Sequence, residues 1–376
     1  MRVLHIGKYF PPAAGGIERF LGELVATQAK VGIEPSVLAH DPRSDSLEQH
    51  DHGPVRRVRA FGEVLFVPIS PHWLLALRRS IARCRPQLLH IHMPNPWAFL
   101  ALLLPSARAL PWVIHWHADI PLDHPSWLMR LAYRPYAWFE RRLLVRASAI
   151  IASSQTYLDA SPVLQNFRNK TQVVPLGLGA APTAGTAPCW PTDCPLKLLA
   201  VGRLSYYKGF DVLLRALAVT PGIGLVLIGD GERRAALLDQ IATLKLGDRV
   251  LLTGRLEDAE IEAAYRACDA FCLPSLDRAE AFGLVLLEAM RAGKPIVSSA
   301  VPGSGMCEVV EHQVNGLQVP PGDPQALAAA LTALRDQPQT RRAMGAAGQQ
   351  RFTQRYQMQP VSRQLADVYR RVLVQT

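Results

Sequence analysis

Short continuous apolar runs alternate with stretches in which apolar positions recur every three to four residues, along almost the whole chain. Runs at 3–6, 36–39, 65–69, 88–92, 112–115, 149–152 and 172–176 are too short for helices and predict buried strands. Helical periodicity covers 17–31, 73–83, 97–109, 127–145 and 157–167. Residues 178–196, rich in Gly, Pro and Ala, break the rhythm and predict a linker. The alternation resumes with strands at 197–201, 224–228, 250–252, 270–273, 295–298 and 316–319, a clear helix at 258–267, and a helical pattern over 324–373. Strand–helix–strand succession predicts parallel sheets with helical crossovers. The expected architecture is α/β: one doubly wound domain at 1–177, a second at 197–355 facing it across a cleft, and a last helix at 356–376 that crosses back onto the first. Ligands of such sheets lie beyond the carboxyl ends of the strands.

With 376 residues and 49% apolar composition, the chain can fill two cores. It has no apolar run of about 20 residues, so no membrane span is predicted. Met1-Arg-Val-Leu-His-Ile-Gly reads as a strand and not as a cleavable signal, which points to the cytoplasm. Cys84, Cys189, Cys194, Cys268, Cys272 and Cys307 lack zinc-ligand spacing and are expected to stay reduced. The net charge of +10 is uneven: residues 1–180 carry 20 Lys/Arg against 12 Asp/Glu. In 73–83 and 127–146, Arg is interleaved with Trp, Leu and Phe. That suits helices lying on an anionic bilayer, or helices packed on a core with Arg on the wet face. No nucleic-acid-binding signature is present, so no nucleic acid partner is expected.

Three segments carry candidate chemistry. Gly15 and Gly16 follow the first strand and open the first helix, where bare backbone N–H groups can approach a phosphate. In Gly202-Arg-Leu-Ser-Tyr-Tyr-Lys-Gly209, Arg203 offers a planar two-point contact and Lys208 a compact charge for a diphosphate. In Glu280-Ala-Phe-Gly-Leu-Val-Leu-Leu-Glu288, one carboxylate stands where a loop becomes a helix and the other lies inside that helix. At about 1.5 Å per residue, up to roughly 12 Å separates them, the reach of a nucleotide-sugar from sugar ring to ribose. The helix N-terminus between them suits a diphosphate.

Together with Gly229-Asp-Gly231 and Val314-Asn-Gly-Leu-Gln-Val-Pro-Pro-Gly-Asp323, these motifs resemble those of the retaining glycosyltransferases of family four. The resemblance runs in the family's order over nearly the whole chain. It implies two Rossmann-like domains in the arrangement called GT-B. It also implies that Gly16, Arg203 and Lys208 serve the donor diphosphate, that Gly15 and Gly229 belong to the donor-binding site, and that Glu280 binds hydroxyls of the donor sugar. Phe282, Gly283 and Leu284 would add backbone contacts, and Glu288 would bind the ribose. His117 would stand near the anomeric centre. The implied catalytic residues are His117, Arg203, Lys208 and Glu280. The implied reaction retains configuration and uses no metal or other cofactor, with the leaving phosphate taking the acceptor's proton; Asp119 is an alternative base.

Similarity to enzymes of bacterial lipopolysaccharide and exopolysaccharide assembly points to a mannose donor, GDP-mannose, and to a glycan or polyprenyl-diphosphate-linked oligosaccharide acceptor. The protein would then work at the inner face of the cell membrane. A UDP-sugar donor is an alternative, as is a sugar-nucleotide epimerase of the same fold. A metal-dependent hydrolase is a third, because His90, His92, His115 and His117 form two alternating pairs, each facing one side of its strand.

Overall fold

The computed structural model describes residues 1–65, 67–120, 127–183, 185–191 and 194–375, with the backbone alone at 127–130 and 132. It divides into two units: Met1–Gly177 with Met358–Thr376, and Leu178–Gln357.

In the first unit the strands are β1 (Arg2–Tyr9), β2 (Glu34–Asp41), β3 (Ser46–His50), β4 (Gly53–Arg59), the hairpin β5 (Glu63–Val64) and β6 (Val67–Pro68), β7 (Leu88–Met93), β8 (Trp112–Trp116), β9 (Ala149–Ala152) and β10 (Thr171–Val173). Eight of them form one sheet in the order β10-β9-β8-β7-β1-β2-β4-β3. All pairs in it are parallel except β3 with β4. Helices α1 (Gly16–Ala29), α2 (Trp73–Cys84), α3 (Pro105–Arg108), α4 (Trp127–Arg146) and α5 (Gln155–Ala160) fall between the strands. The strand order reverses between β1 and β7, both of which are almost wholly buried.

The described residues of the 65–69 run do not join this sheet: Val67 pairs with Val64 in the small hairpin, and Leu65 and Ile69 are exposed. The strands taken instead are β3 and β4; polar Ser46, Glu48, Gln49 and His50 disguise the first and the arginines of β4 the second. Arg57 is buried, and its guanidinium donates to Glu48 at 2.8 Å and to the carbonyl of Pro11 at 2.6 Å. A buried charge paired this way is tolerated inside a sheet, although hydropathy marks it as polar. The 97–109 pattern yields a 3-10 segment, Pro96–Leu103, and then α3, because Pro105 cannot donate into a continuing helix. The 157–167 pattern breaks after α5 at Ala160, just before Pro162, and resumes as a 3-10 segment, Leu164–Lys170.

The second unit holds β11 (Leu196–Val201), β12 (Ile223–Ile228), β13 (Val250–Gly254), β14 (Ala270–Leu273), β15 (Ile296–Ser299) and β16 (Gly316–Val319). They form one parallel sheet in the order β13-β12-β11-β14-β15-β16. Its helices are α6 (Phe210–Ala218), α7 (Arg234–Thr243), α8 (Asp258–Ala267), α9 (Leu284–Arg291), α10 (Met306–Val309), α11 (Pro324–Asp336) and α12 (Pro338–Arg355). The order reverses between β11 and β14, which places the topological switch point, the usual ligand site of such sheets, at their carboxyl ends. Residues 178–196 are tied to this unit: the Gly185 N–H donates to Ala259 at 2.8 Å, and the Trp190 indole N–H donates to Leu198. The last helix, α13 (Met358–Val374), belongs to the first unit and packs on α1.

Candidate active site

In the second unit, the loop after β11 carries Arg203 and the 3-10 turn Tyr206–Lys208. That turn ends at Gly209, whose φ of 67° is left-handed, and a Cβ there would stand 2.1 Å from the Pro274 carbonyl oxygen. Only glycine meets both demands, and its presence lets the loops after β11 and β14 touch. The Leu276 N–H then donates to the Tyr207 carbonyl at 2.7 Å. This backbone contact brings Lys208 and Glu280 together. The Lys208 ammonium donates to Oε2 of Glu280, and the Ser275 hydroxyl donates to the same oxygen at 3.3 Å.

Both members of the pair are buried, at 7% and 9% exposure. Burial alone would lower the Lys208 pKa; the opposing charge of Glu280, helped by Tyr207 and Glu288, holds it above the usual lysine range. Lys208 is therefore a fixed cation. The loop after β15 fastens Glu280 from behind, where the Ser304 hydroxyl and the Gly305 N–H donate to the carbonyls of Glu280 and Ala281. Ser275, Tyr207 and Ser304 escaped the sequence reading, since nothing in their local pattern marks them.

Glu288 lies on α9, 4% exposed among buried Leu286, Leu287 and Met290. A carboxylate on that face, next to a buried ammonium, is poorly explained by packing alone. Phe282 is buried and meets Tyr356 edge-on at 6.2 Å between ring centroids, so its ring is a packing element. Gly283, in left-handed conformation, and Leu284 open α9. Arg203 differs from Lys208: its side chain is 63% exposed and only 3.6 Å from Glu232. Gly229 has a packing reason of its own, because a Cβ there would lie 1.9 Å from the Gly202 carbonyl oxygen.

In the first unit, Gly15 and Gly16 are exposed where α1 begins, directly after β1. A Cβ on Gly15 would fall 2.0 Å from the Glu18 carboxylate, which thus already lies against this turn. Burial raises the Glu18 pKa, and its own backbone N–H and Lys8 act against that rise. The histidines fall on one face of the sheet, where His5 is level with His90 and His92 with His115. His117 follows just beyond β8. All five are buried. His5, on the strand beside His90, was missed in the sequence because it stands alone there. Burial lowers every one of their pKa values, to about 4 for His5 and about 3 for His117, so all are neutral imidazoles. Asp119 accepts from the Trp116 indole N–H at 2.9 Å and from the Ser161 hydroxyl at 2.8 Å.

The ring nitrogens of His92, His115 and His117, and those of His5, His90 and His92, are close enough to suggest a metal site. The ring planes argue against one for the first group. His115 and His117 lie face to face, parallel to within 4° at 4.3 Å, and His92 and His117 already face each other as hydrogen-bond partners, 3.0 Å apart. A metal sits in the plane of each imidazole that binds it, and stacked parallel planes share no point. In the second group, His5 and His92 already face each other as hydrogen-bond partners, 3.3 Å apart.

Residues 192–351 match the family model for glycosyl transferases group 1, and residues 15–177 match that for the glycosyl transferase 4-like domain. The chain is 31% identical to O-antigen chain mannosyltransferase C of Escherichia coli, with 95% of this chain and 94% of that one covered. It is 33% identical to the D-rhamnosyltransferase WbpZ of Pseudomonas aeruginosa, with 94% and 92% covered. Among solved structures, sucrose-phosphate synthase from Thermosynechococcus elongatus shares the fold, with a TM-score of 0.80 over 100% of both chains at 23% identity. Anabaena HepE in complex with UDP-glucose superposes with a TM-score of 0.73 at 25% identity over 98% and 99% of the two chains. Two family models across both units and two full-length relatives decide between the transferase and the hydrolase or epimerase alternatives: the chain belongs to the group 1 glycosyltransferases and has the GT-B fold.

Proposed function

We propose that this glycosyltransferase moves mannose from GDP-mannose, with retention and without a metal, onto a glycan or lipid-linked oligosaccharide of a bacterial surface polysaccharide. The observation that carries this reading is the buried Lys208–Glu280 pair at the switch point of the second sheet, with Glu288 buried on the adjoining helix. In this reading, Glu288 accepts hydrogen bonds from the ribose hydroxyls and Glu280 from the sugar. Lys208 and Arg203 neutralise the leaving diphosphate as negative charge grows on it. The backbone at Gly15, Gly16 and Gly283 offers N–H groups to phosphate, and His117 works beside the transferred sugar. The choice of mannose follows the mannosyl- and rhamnosyltransferase relatives. The UDP-glucose complex of HepE favours a second reading, in which the donor carries UDP.

Thermal stabilisation by a panel of nucleoside diphosphates, in the presence of a chelator, separates the two. A shift with GDP alone is expected, and Glu288→Gln should raise the GDP concentration needed to reach it at least about tenfold, as loss of a charge-assisted hydrogen-bond acceptor does. A shift with UDP alone would overturn the GDP donor, and an unchanged Glu288→Gln variant would remove Glu288 from the ribose.

Contact with an anionic membrane belongs to the same proposal. Helix α2 buries Trp73 and Leu77 against the sheet and keeps Arg78 and Arg79 wet, which accounts for its pattern by packing. Helix α4 instead leaves Leu131, Trp138 and Val145 more than half exposed, with the Arg142 guanidinium 4.5 Å above the Trp138 ring. Side chains 127–130 and 132 of that amphipathic stretch lie outside the described residues. Binding to anionic vesicles should fall as salt rises; equal binding to neutral vesicles would count against this surface.

A further inference from the structure

We propose that Tyr369, Gln28, His5 and His92 are positioning residues, a directed chain of hydrogen bonds that keeps the single ring proton of His117 on Nε2 and leaves a lone pair on Nδ1. The inference rests on the reading in which His117 works beside the transferred sugar.

The direction follows from counting protons. A neutral imidazole has one N–H and one lone pair, and an amide nitrogen only donates. The Gln28 side-chain nitrogen lies 3.0 Å from the Tyr369 hydroxyl oxygen, which must accept from it. Tyr369 then turns its own proton to Nδ1 of His90, 2.7 Å away. The Gln28 amide oxygen is 2.8 Å from Nε2 of His5 and can only accept, so the His5 proton is on Nε2. Nδ1 of His5 is bare and takes the proton of His92 Nε2, 3.3 Å away. Nδ1 of His92 is bare in turn and accepts from Nε2 of His117 at 3.0 Å. The proton of His117 is thereby committed, and its Nδ1 is a buried nitrogen with no partner among the described residues.

Between Gln28 and His117, reversing any one link alone sets two protons or two lone pairs face to face, so this stretch turns only as a whole. The Gln28 amide anchors the far end, with its nitrogen toward Tyr369 and its oxygen toward His5. The direction also requires every ring to be neutral, since an imidazolium donates from both nitrogens. Burial supplies this, holding His5 near 4 and His117 near 3. The functional consequence is polarity at one atom. Nδ1 of His117 can accept from a sugar hydroxyl; with a proton there it could only donate. A buried unpaired nitrogen is costly, and that cost falls when a ligand supplies the missing partner.

Long-range proton–nitrogen NMR spectra of the full chain with nitrogen-15 histidine test this, with His117→Asn assigning the signals. His5, His92 and His117 should all appear as the Nε2-protonated tautomer from about pH 6 to 8, the range in which a free histidine titrates. A proton on Nδ1 of His117 would overturn the relay. In Gln28→Leu and Tyr369→Phe, His117 should become a mixture of tautomers. Their kcat should fall about tenfold, the worth of one misdirected hydrogen bond, with little change in the KM for donor. Gln28→Glu, which keeps an acceptor at His5, should restore the wild-type tautomer and most of kcat. A purely structural role would lower thermal stability and leave the tautomers unchanged. The wild-type spectrum decides the matter even where a variant fails to fold. It needs no substrate, so absence of transfer from any nucleotide-sugar would sink the functional reading while leaving the relay standing.

Discussion

Glu280→Gln is expected to destabilise the second unit by about 3–5 kcal/mol, the cost of leaving one member of a buried ion pair alone, and to reduce sugar transfer at least about a hundredfold. Lys208 and Glu280 are each less than a tenth exposed, so water cannot take over the missing partner's role. Lys208→Met should cost a similar amount for the mirror-image reason. The double variant, Lys208→Met with Glu280→Gln, removes both charges and should recover most of the stability while transfer stays lost. Urea unfolding of the three variants, set beside their kcat, checks this. If the double variant is as unstable as the sum of the singles, the two side chains do not act as a pair. If it transfers sugar, neither charge serves the reaction.

Loss of the first unit under mild acid should be as large an effect. His5, His90, His92, His115 and His117 all have folded pKa values below the free value of 6.5. Between the two values the unfolded chain binds more protons, so stability is complete above about pH 6.5 and falls as the pH drops below it. Each such histidine withdraws up to about 1.4 kcal/mol per pH unit. Glu140, pushed up to about 7 by burial and by Asp119, and Glu18, raised by burial, work in the opposite sense, while burial lowers His40 and His52 as well and so adds to the histidines. The net uptake of several protons should unfold this unit near about pH 5, within the few kcal/mol that hold a domain together. Trp112 and Trp116, buried on the strand beside the cluster, report it by fluorescence. Stability unchanged from pH 7 to 5 would mean that the histidines are not held neutral. His115→Phe, which removes one titrating ring, should flatten the slope.

What could be read from the chain beforehand follows from how local each signal is. Strands such as β7 and β12 are continuous apolar runs because both faces are covered, and they stand out in the sequence. Strand β4 does not, because Arg57 is buried through partners on other segments, the carboxylate of Glu48 and the carbonyls of Phe10 and Pro11. The same divide runs through the candidate site. The residue types around Lys208 and Glu280 are legible as motifs, but their pairing spans 72 residues of sequence and depends on the contact made by Gly209. The alternating pairs His90/His92 and His115/His117 are visible as strand periodicity. Gln28 and Tyr369, 341 residues apart, meet only because α13 packs on α1.

The placement of α13 has a consequence for the order in which the protein is made. Residues 178–357 form an uninterrupted unit and can close as soon as they leave the ribosome. The first unit, although synthesised earlier, lacks its last helix until residue 374 has emerged. Nascent domains usually fold from the N-terminus onward; here the second unit is complete before the first. Until then the apolar face of α1 and the buried histidines wait without Tyr369, so a nascent chain stalled before residue 358 should carry a folded second unit and a first unit open to protease and chaperone.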